Sequence, residues 1–180
     1  RSRFAPPIAT LVQLWPAQRK QPVIEDNGVP AMLASLVTSN KADVLATAYC
    51  DAMSVKPGEP EWEGRDRFLL SHGHYAIAAY AALIEAGVID EAELETYGSD
   101  DSRLPMSGMA AYTPGMEITG GSLGHGLALA VGFGLALKRK QSKSFVYCLF
   151  SDGELGEGSV WEGAWSASHW KLDNLIGIVD

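Results

Sequence analysis

The sequence predicts an α/β fold in which a parallel sheet is flanked by helices. Residues 145–150 form a short apolar run with the length of a buried strand, and residues 174–179 form a second such run. Between them, apolar residues recur at helical spacing from about residue 155 to residue 172. Two apolar strands joined by a helix are typical of a βαβ unit, whose strands lie parallel.

The turn after the first of these strands carries candidate chemistry. Ser151, Asp152 and Gly153 are three turn formers in succession. Asp152 would lie where a strand ends and a helix begins, and backbone N–H groups at such a position favour a bound phosphate. A carboxylate beside a phosphate needs a cation between them, which favours Mg²⁺. A plain strand-to-helix turn with Asp152 as the N-cap is the simpler interpretation of this turn alone.

The composition indicates a globular protein with a sizeable core. The chain has 180 residues, of which 47% are hydrophobic and 20% are charged. Its formal net charge of −8 argues against nucleic acid as the main partner. The sequence shows neither a signal peptide nor a long apolar span, so we expect a cytoplasmic protein without membrane association. Cys50 and Cys148 form no disulfide framework or metal-binding spacing, and Cys148 is expected in the core.

The N-terminal part of the chain divides into an arm and the start of the domain. Four prolines punctuate residues 1–28, which we interpret as an extended arm. From residue 29 to about residue 53 the apolar spacing is helical. We therefore place the α/β domain at residues 29–180.

Residues 65–74, RDRFLLSHGH, are a second informative string. Residues 68–70 predict a very short strand, and a helix ending at Gly87 follows the turn that Ser71 begins. His74 would then lie near the helix N-terminus, where it can meet an anion. His72 and His74 have a spacing that also occurs in zinc sites, but no third ligand is evident. A hydrogen-bonded structural histidine is the ordinary alternative.

Residues 104–126 predict a loop that runs into a helix. Thr119, Gly120, Gly121 and Ser122 are strong turn formers. The helix from Leu123 to residue 137 is apolar nearly all round, which predicts burial. A glycine-rich connection to a core helix explains this string simply. A dinucleotide-binding GxGxxG interpretation is weaker, because no strand precedes the glycines at the required position.

These three strings, in this order, resemble the N-terminal thiamine-diphosphate-binding domain of transketolases. They are RDRFLLSHGH, PGMEITGGSLGHG and SDGELGEGSVWE, the last followed by KLDNLIGIVD. The resemblance covers roughly residues 42–180. It implies a diphosphate-type α/β domain that binds thiamine diphosphate and Mg²⁺.

The resemblance also implies site residues. Asp152 would be the Mg²⁺ ligand, and Gly153 and Glu154 would bind the diphosphate beside it. His74 would lie near the diphosphate and the substrate, as both a cofactor-binding and a catalytic residue. The cofactor-side candidates in the glycine-rich turn are Gly120, Gly121, Ser122 and Leu123.

Two glutamates in the last string resemble family residues at a subunit interface. Glu157 and Glu162 would communicate there with the glutamate that activates the aminopyrimidine ring from a second domain. Glu157 is therefore a catalytic candidate. Simple surface carboxylates near a helix N-terminus are the plainer interpretation of both.

The sequence departs from the family pattern at several points. Ser151 replaces the first glycine of the cofactor motif, and the closing asparagine would fall just beyond Asp180, so we expect further chain. A Gly-His-x-Gly-Gly segment should precede Ala42, and we expect a missing mobile loop between Lys41 and Ala42. Ser107 stands about where sugar-phosphate transketolases carry a histidine. That departure leaves open a different ketose or a 2-oxo compound as the donor.

The function implied is transfer of a two-carbon ketol unit from a ketose to an aldose, each a sugar or sugar phosphate. The chain would be the diphosphate- and magnesium-binding half of the enzyme. Its partner would be a pyrimidine-binding transketolase C-terminal subunit or domain, in a homo- or hetero-oligomer. The departures also fit a second hypothesis, a non-catalytic scaffold or regulatory subunit with a decayed cofactor site. A nucleotide-binding domain is a third.

Overall fold

The computed structural model describes residues 40–180, so the predicted arm and residues 29–39 of the predicted helical region lie outside the described residues. The first described helix, α1 (Asn40–Thr47), continues into a π-helical turn, Ala48–Ala52. It runs through Lys41 and Ala42 without interruption. This continuous helix argues against the missing mobile loop expected between Lys41 and Ala42. The residues at this joint, Lys41 to Ala46, are mostly good helix formers and continue one helix.

The described part of the chain forms one three-stranded parallel sheet. Its strands are β1 (Arg67–Leu70), β2 (Val146–Phe150) and β3 (Leu175–Val179), in the order β1-β2-β3. Both neighbouring pairs are parallel, with Leu70 opposite Leu149 and Phe150 opposite Val179. The predicted parallel sheet and its βαβ unit are confirmed.

Three longer helices lie between the strands along the chain, two between β1 and β2 and one between β2 and β3. They are α2 (Ala76–Glu85), α3 (Gly126–Arg139) and α4 (Gly158–His169). Three short 3₁₀ helices complete the described elements, at Gly73–Tyr75, Glu91–Thr96 and Asp152–Gly156. α2 ends just before Gly87, whose φ is +69°, as the sequence predicts.

The core lies on both faces of the sheet, because successive strand residues point to opposite sides. On one face, Phe68 and Leu70 of β1 join a buried cluster with residues of α1 and α2. On the other face, Leu69 and Cys148 join a cluster with residues of α3 and α4. The helices thus flank the sheet on both sides, which confirms the α/β class.

Two predicted helices have different limits or surroundings in the structure. α4 begins at Gly158 rather than near residue 155, because Glu157 is extended, with φ −87° and ψ 128°. α3 is not buried all round, since Leu129 is 45% exposed. Ala128 and Gly132 are exposed as well, so one side of α3 is not covered by the described residues.

Candidate functional site

The three informative strings meet at one edge of the sheet. Parallel strands bring their carboxyl ends to the same edge, where ligands bind in open α/β sheets. Ser71 follows β1 and donates its backbone N–H to the carbonyl of Leu149 at 2.9 Å. Beyond β2, the backbone N–H of Asp152 donates to the carbonyl of Asp180 at 2.9 Å. The ends of all three strands are therefore held side by side.

Asp152 is exposed at this edge, in the first turn of the 3₁₀ helix Asp152–Gly156. Its Oδ1 accepts the backbone N–H of Gly153 at 2.7 Å. A side chain placed on Gly153 would meet only Ser151 Oγ, at 3.8 Å, so this backbone is open to a bound group. Ser151, rather than Asp152, is the N-cap residue of the turn. The simpler interpretation, in which Asp152 is the N-cap, is therefore wrong. The Asp152 carboxylate faces solvent.

Glu154 lies two residues after Asp152 but is completely buried. Its Oε1 accepts hydrogen bonds from Ser71 Oγ and, at 2.8 Å, from the backbone N–H of Gly124. Its Oε2 accepts the backbone N–H of Ser151 at 2.8 Å and lies 3.5 Å from His72 Nδ1. Burial alone would raise the pKa of Glu154, but these donors outweigh it and lower the pKa. The carboxylate is thus held as an anion.

His74 is exposed in the 3₁₀ turn Gly73–Tyr75, directly before α2. This turn packs backbone to backbone against the glycine-rich segment. The Gly108 N–H donates to the Gly73 carbonyl at 3.2 Å, and the Gly120 N–H donates to the Gly108 carbonyl at 3.1 Å. A Cβ on Gly120 would lie 2.7 Å from Gly73 Cα. Glycine at both positions is what brings His74 beside the glycine-rich turn.

The remaining cofactor-side candidates form an open turn before α3. Gly121, Ser122 and Leu123 are all exposed. Gly121 has φ +131°, which side chains rarely permit, and a Cβ there would meet only Ser107 Oγ, at 3.9 Å. Ser107 therefore borders this turn. It also approaches the His74 turn, 2.8 Å from where a Cβ on Gly73 would lie.

Glu157 and Glu162 both lie on the surface of the domain. Glu157 links the 3₁₀ helix to α4, and its N–H donates to the Glu154 carbonyl at 2.9 Å. Its Cβ lies 2.7 Å from the position that a Cβ on Gly124 would occupy. Glu157 is thus at the edge of the site, whereas Glu162 lies farther along α4.

The donor set fits magnesium better than zinc. Within residues 43–180, no group of three or more histidine, cysteine or acidic residues is arranged around a common metal position. The rings of His72 and His74 lie 5.6 Å apart between centroids, and His72 is completely buried. Mg²⁺ needs only one or two protein carboxylates when substrate phosphates supply other oxygens. The exposed Asp152 carboxylate beside the open Gly153 backbone suits that arrangement.

Sequence reasoning missed the roles of three residues that build this edge. Ser71 Oγ accepts the N–H of Gly126 at 3.1 Å, and Ser159 Oγ donates to the Gly124 carbonyl at 2.8 Å. The third residue is Glu154, whose carboxylate is buried and accepts hydrogen bonds from Ser71, Gly124 and Ser151. One signal was present, because the Ser-x-x-Glu spacing of Ser151 and Glu154 is that of a capping box, which the structure contains.

Comparison with known proteins identifies the family. The family model for the transketolase, thiamine diphosphate binding domain matches residues 26–180. The chain belongs to the transketolase family. This match confirms the resemblance of the three strings. Separately, no helix among residues 40–180 has the length and apolar character needed to cross a membrane.

Several transketolase relatives match three quarters or more of this chain. A transketolase family protein of Sinorhizobium fredii is 78% identical over 139 residues, covering 77% of this chain and 50% of the relative. An apulose-4-phosphate transketolase subunit of Actinobacillus succinogenes is 41% identical, covering 91% of this chain and 59% of that protein. This chain thus spans about half the length of these curated relatives.

Solved transketolases share the fold. The transketolase from Leishmania mexicana matches with a TM-score of 0.68 and 33% identity, covering 74% of this chain and 22% of that one. The transketolase from Campylobacter jejuni gives a TM-score of 0.67 at 28% identity, covering 78% of this chain and 27% of that one. The described sheet and its flanking helices are therefore part of a transketolase fold.

Proposed function

We propose that this chain is the diphosphate- and magnesium-binding half of an enzyme that transfers a two-carbon ketol unit between a ketose and an aldose. The observation that carries the proposal is the meeting of the three transketolase strings at the carboxyl edge of the sheet. There the exposed Asp152 carboxylate and the open Gly153 backbone follow β2, and the His74 turn follows the neighbouring strand β1. Family membership supports the same activity.

The residues at this edge have separate proposed roles. Asp152 binds Mg²⁺, and the backbone at Gly153 contacts the diphosphate. The turn from Gly120 to Leu123, exposed from Gly121 onward, lies against the thiamine. When bound, thiamine diphosphate supplies the carbon nucleophile for ketol transfer. His74 is exposed beside this turn, where it can donate a proton or stabilise a developing oxyanion.

A partner domain completes the proposed enzyme. Two relatives of this chain are named as subunits of apulose-4-phosphate transketolases, and the chain spans about half their length. We propose that a pyrimidine-binding subunit or domain covers the exposed edge of the site. Glu157 would face that partner, because its carboxylate is exposed next to the glycine-rich turn. Glu162, also exposed on α4, would lie in the same interface.

Ser107 bears on the choice of donor sugar. Its side chain lies between the His74 turn and Gly121, in a position where it can contact a substrate. Two relatives are named for apulose 4-phosphate and for 6-deoxy-6-sulfo-D-fructose. These names support a ketose donor for this chain that differs from the common sugar phosphates.

The experiment is a ketol-transfer assay of the full chain with its pyrimidine-domain partner. Ketose donors and aldose acceptors are supplied with Mg²⁺ and thiamine diphosphate, and the released aldose is measured. We expect activity that Asp152→Asn removes, because the amide loses the charge that holds the cation. A folded assembly that binds the cofactor but transfers no two-carbon unit from any ketose would overturn this function and favour a scaffold role.

A further inference from the structure

The carboxylate of Glu154 joins three segments that are far apart in the chain. Its hydrogen-bond donors are Ser71 Oγ, the Gly124 N–H and the Ser151 N–H. Ser71 follows β1, Gly124 ends the glycine-rich turn, and Ser151 follows β2. One side chain therefore connects the loops at the ends of two strands with the entry to α3.

Each of these segments carries a candidate cofactor residue beside its donor. His74 lies three residues after Ser71. Leu123 immediately precedes Gly124, and Asp152 immediately follows Ser151. The candidate residues are exposed, whereas the carboxylate that links their segments is completely buried. Glu154 lies beneath the proposed site instead of forming its surface.

Ser71 extends the link to the start of α3. Its hydroxyl donates to Glu154 and accepts the Gly126 N–H, so a single oxygen joins the carboxylate to the first residue of that helix. The packing there is tight, because a Cβ on Gly126 would lie 2.3 Å from Ser71 Cβ. The distance between the end of β1 and the N-terminus of α3 is thereby fixed.

A buried carboxylate is costly unless its oxygens accept hydrogen bonds, and removing one such partner leaves unpaired groups in the interior. Glu154 meets this requirement with donors from three segments. If any of the three segments moved away, a buried charge would lose a donor. The arrangement therefore favours one relative placement of the segments even before a ligand arrives.

We propose that Glu154 is a positioning residue that holds the Ser71, Gly124 and Ser151 segments in the geometry required to bind the cofactor. It acts without contacting the cofactor, because its carboxylate is enclosed by protein. The family resemblance implies that Glu154 binds the cofactor directly, and the proposal replaces that contact with an indirect role. The inference rests on the proposed function, since the cofactor is the group for which the segments are positioned.

The first measurement is amide hydrogen exchange of the full chain without cofactor, comparing the wild type with Glu154→Gln. The amide side chain keeps the size of the carboxylate but loses its charge and one acceptor oxygen. We expect the Gly124 and Ser151 amides to exchange about 10- to 100-fold faster, as the loss of a charge-assisted hydrogen bond implies. Amides of β2 should be unchanged. A general destabilisation would instead accelerate the exchange of β2 as well.

The second measurement is thiamine diphosphate binding at saturating Mg²⁺, with the partner present, well below the unfolding temperature. We expect Glu154→Gln to weaken binding about tenfold or more. Ser71→Ala, which keeps the carboxylate and removes one donor, should weaken binding less and provides a second test if Glu154→Gln does not fold. Glu95→Gln, at an exposed position on the 3₁₀ helix Glu91–Thr96, is the matched control.

The outcomes separate this proposal from the proposed function. Wild-type affinity in folded Glu154→Gln and Ser71→Ala, or unchanged exchange at Gly124 and Ser151, would overturn the positioning role while leaving the function intact. Failure of the wild-type assembly to bind the cofactor would overturn the function, and the positioning role would fall with it. Local loosening with weaker binding supports the proposal.

Discussion

The guanidinium Nε of Arg65 lies 3.1 Å from Glu117 Oε1, joining the segment before β1 to the loop that enters the glycine-rich turn. Arg67 Nε lies 3.5 Å from the same carboxylate oxygen. The side chains of Arg65 and Glu117 are only 14% and 10% exposed. One carboxylate therefore balances two largely buried cations, and it fixes the start of the segment that carries Gly120.

The first prediction concerns this charge cluster. Glu117→Gln should lower the free energy of unfolding by about 3 kcal/mol, because it removes the largely buried carboxylate that both arginines contact. Urea unfolding at neutral pH measures the change. Glu61→Gln is the matched control, since Glu61 pairs with the same Arg65 at 3.6 Å but is 87% exposed. Equal losses in the two variants would contradict the importance of burial here.

The second prediction compares two glycines in one helix. Gly126→Ala should destabilise the chain by about 1–3 kcal/mol, since its Cβ would overlap Ser71. Gly132→Ala, in the middle of α3, meets no atom within 4 Å and should stabilise it by about 0.5–1 kcal/mol, as alanine favours the helix. Thermal unfolding of both variants measures the difference. A stable Gly126→Ala protein would show that the β1–α3 contact is looser than described.

The third prediction concerns thiol reactivity. Cys148 is buried in β2, and burial raises its pKa far above the ordinary range, whereas Cys50 is exposed. A thiol reagent should therefore modify one cysteine in the native chain and both in denaturant. Cys50→Ser should show no native reaction. Rapid native labelling of Cys148 would indicate that the sheet opens readily.

The sequence was sufficient to predict those parts of the fold that depend on local pattern. The short apolar runs at residues 145–150 and 174–179 predict β2 and β3 within one residue at their starts. The site segments were recognised through motifs, and family membership confirmed the resemblance. Glycine and proline patterns could not give the limits of α4, because the extended backbone of Glu157 separates a 3₁₀ turn from the helix.

Such local patterns could not predict long-range hydrogen bonds. The Ser71–Glu154 bond joins residues 83 positions apart, and nothing in either local sequence specifies the other residue. The motif instead assigns Glu154 to the cofactor, since its neighbours Asp152 and Gly153 suit that role. The exposed side of α3 was missed for a related reason, because periodicity does not show which apolar positions a neighbouring element will cover.

The fourth prediction concerns donor choice. Ser107→His, made in the assembly with its partner, should improve the use of the common ketose phosphates relative to the native donor by roughly tenfold, since a histidine can add a charge-assisted hydrogen bond to the sugar. Relative kcat/KM for competing donors measures the effect. Ser107→Ala tests whether the hydroxyl itself matters. An unchanged donor ratio in both variants would place the determinant of donor choice elsewhere.

The most direct measurement of the central claim is Mg²⁺-dependent binding of thiamine diphosphate to the full chain with its pyrimidine-domain partner, followed through quenching of the tryptophans. We predict saturable binding that EDTA abolishes and that Asp152→Ala removes without loss of the fold. Glu95→Gln should bind as the wild type does. Absence of binding by the wild type, or full affinity in Asp152→Ala, would contradict the assignment of this edge of the sheet as the cofactor site.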